Sequence, residues 1–154
     1  MNQNLEKIKT KYIRAVNAIN VVAVYSILTT ILFLVFERYT TPHALEVGRW
    51  VNFLGLRVNE SFNYVGTSIA LFINIVIGAG LYLLSRKSKQ GDLRFYFAAI
   101  VLYVIDSILS IFYFDLFSFL IHLAVLAYLI YGHYSYTKLV VEFEKYKKNR
   151  KKEE

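Results

Sequence analysis

The chain has 154 residues, of which 56% are hydrophobic and 19% charged, with no cysteine and a formal net charge of +7. The length suits one domain, and the lack of cysteine excludes a disulfide framework, a thiolate metal site and a cysteine nucleophile. The basic residues cluster beside long apolar runs, so the positive charge points to a membrane and not to nucleic acid.

The first such run is Ala15 to Phe36, which carries no charge. A helix needs about 20 apolar residues to cross the hydrocarbon layer, so this segment predicts a first span. It exceeds a signal-peptide core and no small-residue cleavage site follows it, which favours a retained anchor.

Between this run and the next lies "HALEVGRWVNFLGLRV". Here Val47, Trp50, Val51, Leu54 and Val58 recur at helical spacing, with Glu46, Arg49 and Asn52 on another side. The pattern predicts a short amphipathic helix on the outer membrane surface, anchored by Trp50. Gly48 and Gly55 argue against a regular helix, and an irregular lid over the bundle is the alternative. Asn59-Glu60-Ser61 also fits a glycosylation triplet, a pattern common by chance.

Residues 62–84 form the second uncharged run. Gly66, Ala70, Asn74 and Gly78 are four apart, so they share one face and predict close helix packing, within the chain or against a second copy. Asn74 would need an interhelical partner.

The third region, Phe95 to Tyr136, is interrupted only by Asp106, Asp115 and two histidines. A straight helix of that length would reach about 63 Å, twice the hydrocarbon thickness, so the chain must fold back. A turn at Asp115, capping the next helix, predicts span three at about 95–114 and span four at about 116–136. The segment 137–154 then reads as a basic tail extending span four, attractive to anionic lipid.

Fifteen of the eighteen Lys and Arg residues lie before position 15, in 85–94, or after position 136. The positive-inside rule puts these three segments, and so both termini, in the cytoplasm; the plasma (inner) membrane is the expected site. Four spans satisfy that threading. Tyrosines near span ends, including Tyr12, Tyr82, Tyr96, Tyr134 and Tyr136, suit interfacial belts. The expected fold is therefore an all-α integral membrane bundle of four transmembrane helices.

Asp106 carries the chemistry. On span three it shares a side with Ala99, Tyr103, Ser110 and Tyr113, a stripe that should face the interior because a central Asp costs about 2.5–3.5 kcal/mol on insertion scales. Counting from a turn at Asp115 brings His122 within about 3 Å of its depth. Tyr103, Ser110 and Asn74 could complete the network. Three readings follow: a polar lock that fixes helix register, a proton-binding pair in a transporter or channel subunit, or an acid–base pair of a membrane enzyme. Two candidate ligands without local spacing fall short of a metal site, and His133 is expected to meet water or headgroups. No phosphate-binding glycine loop, HExxH or GxSxG is present, and nothing points to a cofactor. The reading that follows is a small polytopic membrane protein acting by association, with itself or with a membrane complex. Proton-linked transport through Asp106 and His122 is the alternative.

Overall fold

The computed structural model describes residues 3–36, 45–62, 64–112 and 116–153. They form five helices: α1 (Gln3–Phe36), α2 (Glu46–Phe62), α3 (Val65–Lys89), α4 (Leu93–Phe112) and α5 (Leu116–Glu153). No strand occurs among the described residues. Four of the helices, all but α2, are long and apolar enough to cross a membrane. Their outward surfaces are studded with large apolar side chains such as Val21, Phe72, Leu83, Ile105 and Leu120. The interior, by contrast, holds many small or polar residues, among them Thr30, Asn74, Ser85, Ser110 and His122. That inversion suits a body surrounded by lipid, where close packing and interhelical hydrogen bonds hold helices together.

The four long helices form a ring. Helix α1 packs on α3 and α5, and α4 closes the ring by packing on both of them. Helix α2 lies mainly along α3 and also touches α1 and α4. The ring has two distinguishable ends. The tight α3–α4 turn and its basic residues mark one, called here the basic end; the α2–α3 connection marks the other, the junction end.

Local chemistry explains both connections. After α3, Gly91 adopts φ +93°, a conformation that costs glycine little, and its N–H reaches the Ser88 carbonyl at 3.0 Å. Asp92 then caps α4, its side chain accepting from the Arg94 N–H at 3.0 Å. At the other connection Tyr64 takes φ 32°. The Asn59 side chain accepts from the Thr67 N–H at 3.0 Å, so the last turn of α2 caps the first turn of α3. Asn59, the residue of the glycosylation triplet, is thereby committed to a helix cap.

Several boundaries differ from the sequence expectation. Phe62 ends α2, and the second long helix begins at Val65. The basic segments at both ends are helical, α1 starting at Gln3 and α5 running unbroken through the tail to Glu153. The expected cap at Asp115 and the stripe residue Tyr113 lie outside the described residues.

Helix α2 is regular despite Gly48 and Gly55, and its small and polar side faces the bundle. Glu46, Gly48, Asn52 and Gly55 are buried, whereas Trp50, Phe53, Leu54 and Val58 are exposed. Here the glycines are the contact residues. A Cβ at Gly55 would lie 2.7 Å from the Gly66 carbonyl oxygen, and one at Gly48 would lie 2.6 Å from Asn74 Oδ1. Removing those side chains lets α2 and α3 run side by side at backbone distance.

The tyrosines at the basic end also differ from expectation. Tyr12 and Tyr96 are buried, not interfacial, and meet edge to face at 5.4 Å. Tyr136 leans on Tyr12 at 4.9 Å. Each hydroxyl donates to a backbone carbonyl of another helix or of the α3–α4 turn: Tyr12 to Ser88 at 2.8 Å, Tyr96 to Leu129 at 2.7 Å, Tyr136 to Gly91 at 3.0 Å. Gly132 leaves room for this cluster, since a Cβ there would strike Ala15 and the Tyr96 hydroxyl. Tyr82 and Tyr134 do face outward.

Candidate polar site at the start of helix α2

Residue Leu45, preceding α2, has no side-chain oxygen, so the helix lacks a local cap and its first N–H groups need acceptors. Asp106 supplies them from across the bundle. One carboxylate oxygen, Oδ2, accepts from the Glu46 N–H at 2.9 Å, and the other, Oδ1, accepts from the Val47 N–H at 2.9 Å. Both oxygens thereby face the positive end of the helix dipole. The aspartate inside the apolar run is thus the N-terminal cap of a helix 60 residues earlier in the chain.

His122 of α5 completes the arrangement, its Nε2 lying 3.0 Å from Asp106 Oδ2. The other ring nitrogen, Nδ1, lies 2.7 Å from the Ser118 carbonyl, which can only accept. Nδ1 therefore carries a proton, and a single further proton lies between Nε2 and Oδ2. Whether that proton is drawn on nitrogen or oxygen, the pair has zero net charge. Glu46, itself fully buried, faces Arg49 across 3.7 Å, so the second carboxylate also has an opposite charge beside it. Two acids, an imidazole and a guanidinium from α2, α4 and α5 meet at one level of the bundle. Pairing of this kind is what makes buried charge tolerable.

Tyr103 stacks on His122 with ring centroids 5.3 Å apart and planes 19° from parallel. Its hydroxyl is buried and, among the described residues, has no hydrogen-bond partner. Ser110 donates to the Ser107 carbonyl at 2.7 Å, one turn back on its own helix, and does not join Asp106. Asn74 likewise stays apart. It donates to Asn52 Oδ1 at 3.0 Å and to the Ala70 carbonyl at 2.9 Å, binding α2 to α3. Asn52 in turn reaches Thr30 of α1 at 3.4 Å. The residues of the small ladder separate by partner. Gly66, Ala70 and Asn74 meet α2, whereas Gly78 meets α1 at Ile27. The buried members of the α4 stripe are Ala99, Tyr103, Asp106 and Ser110. His133 is half-buried near the basic end, with an Nδ1 that lacks a partner among the described residues.

The backbone N–H groups of Glu46 and Val47, and the buried Glu46 carboxyl, were not predicted from sequence. The signal for them was the missing cap at Leu45, beside an aspartate with no local reason to exist. Among the described residues, no group of three or more His, Cys, Asp or Glu side chains is placed to hold a metal.

No protein-family model, curated protein or solved structure matches the chain.

Proposed function

We propose that this is a multi-pass integral membrane protein acting by association, with a second copy of itself or with a larger membrane complex. The observation that carries the reading is how the ionisable interior is employed. Asp106 and His122 are taken up in holding α2, and at the basic end the interior is filled by Tyr12, Tyr96 and Leu129. With the inside occupied in this way, action falls to the surface. The surface that differs from a plain span is that of α2, where exposed Trp50, Phe53 and Leu54 adjoin Arg57, whose guanidinium lies 4.9 Å from the Phe53 ring.

The threading proposed puts both termini and the 85–94 segment in the cytoplasm of a plasma (inner) membrane. Lys7, Lys11 and Arg14 of α1 line one hollow together with Lys138 of α5, which supports anionic lipid as a companion of the basic end. Reporter fusions should place both chain ends in one compartment and residue 50 in the other.

A photo-crosslinking residue at Trp50, installed in native membranes, tests the association. Protein adducts are expected there, with only lipid adducts at Phe72 and Phe97 as controls. Lipid adducts alone at Trp50, Phe53 and both controls would overturn the proposal. The alternative, proton-linked transport, draws on the single proton shared by Asp106 and His122. It requires that liposomes carrying the protein and a pH dye lose an imposed gradient, and that Asp106→Asn stops the loss. On the association reading, such vesicles hold the gradient as well as empty ones.

A further inference from the structure

Between α3 and α4 lies a cleft of about 620 Å³, within the size range of small-molecule sites. Its rim is exposed and apolar, formed by Leu83, Leu102 and Ile105. Its floor includes Leu45, Leu81, Tyr103 and Asp106, all buried. Gly80 is one wall, and a Cβ there would meet nothing within 4 Å, so the space beside it is open. In a membrane-spanning bundle a cleft with this rim faces hydrocarbon, and its occupant must arrive through lipid.

The floor supplies two complementary polar groups one turn apart on α4. The Tyr103 hydroxyl is a buried donor without an acceptor among the described residues, unlike Tyr12, Tyr96 and Tyr136, whose hydroxyls all find carbonyls. Asp106 Oδ2 already accepts twice, but Oδ1 accepts only from Val47 and keeps a lone pair. Both groups are covered in the cleft, and a ligand hydroxyl that displaces the covering side chains satisfies both, accepting from Tyr103 and donating to Asp106. A carbonyl or an anion, with no proton to donate, could do only the first. Asp106 lies about 9 Å along α4 from Phe112 and about 20 Å from Leu93, a depth that excludes a charged headgroup. We infer that the α3–α4 cleft binds a neutral lipid alcohol, its hydrocarbon body on the apolar rim and its hydroxyl between Tyr103 and Asp106. The site is independent of the association proposed above.

The test uses the full chain in phospholipid nanodiscs and a 16-carbon alcohol bearing a mid-chain diazirine, with the matching alkane as control probe. The alcohol should label Ile77, Leu84, Leu102 or Ile105. Tyr103→Phe should lower labelling by the alcohol about tenfold, the worth of a strong hydrogen bond, and leave the alkane unaffected. Gly80→Leu, which fills the cleft from a position with open space, should abolish labelling by either probe. Unlabelled farnesol and a diacylglycerol, used as competitors, distinguish an isoprenoid alcohol from a glycerolipid. Equal labelling by alcohol and alkane, or labelling insensitive to Tyr103→Phe, would reduce the cleft to ordinary lipid contact and overturn the inference.

Discussion

At the basic end the interior is aromatic, and at the junction end it is charged. Tyr12, Tyr96 and Tyr136 each bring a large apolar ring and one donor, and each donor finds a backbone carbonyl. Such a core consists of separable pieces, because losing one ring leaves the others paired. The junction half works otherwise. Asp106, His122, Glu46 and Arg49 come from three helices; Asp106 and His122 balance only while both are in place, as do Glu46 and Arg49. The difference teaches that the same bundle can be tolerant at one end and brittle at the other. Brittleness there has a use, since it ties the short helix α2 to one position in the ring.

The largest effect should come from breaking the brittle half. Asp106→Leu strands the Glu46 and Val47 N–H groups and the His122 ring, and should cost about 3–5 kcal/mol. Asp106→Asn keeps the shape and one acceptor oxygen, and should cost less than half of that. Thermal unfolding of the purified variants in detergent measures both. If the leucine variant melts with the wild type, the charged half is not brittle and the contrast fails.

A smaller effect separates glycines that look alike in the sequence. Gly66→Val pushes a side chain against the Gly55 backbone and should cost about 1–3 kcal/mol by overpacking. Gly80→Ala adds a methyl group to open space and should stabilise α3 by about 0.5–1 kcal/mol through helix propensity. Opposite shifts in the same melting assay would sharpen the role of α2 docking; parallel shifts would dissolve it.

The four long helices were legible because apolar run length is a local property, and lipid demands it of each span separately. The meeting of Asp106 and His122 was also within reach, as counting from one turn puts them at one depth. Helix α2 was not legible in the same way. Its apolar residues were read as anchoring a helix on the membrane surface, a pattern that does not say which residues meet the bundle. Lipid offers Trp50 and Leu54 an apolar environment on the outside, so Glu46, Asn52 and the glycines are the ones that gain by turning in. The destination of Asp106 was hidden for a second reason, since the groups it caps are backbone N–H groups 60 residues away, and no side-chain pattern marks them. The belts predicted from Tyr12 and Tyr96 failed because a tyrosine near a helix end has the same spacing whether it faces in or out.

The smallest expected effect is the most direct test of the comparison, because one chemical change is made in both halves. Tyr96→Phe removes a hydroxyl that donates to the Leu129 carbonyl, and should cost about 1 kcal/mol. Tyr103→Phe removes a hydroxyl that is equally buried but has no partner, so its loss relieves a desolvated group and should leave stability equal or raised. The rings themselves are untouched, and the stacking of residue 103 on His122 survives the change. A melting difference of this sign between the two variants follows only if the aromatic half is hydrogen-bonded throughout and the charged half holds one spare donor. Equal destabilisation would mean that Tyr103 has an acceptor within the folded chain, and the two halves would then be satisfied by the same rule.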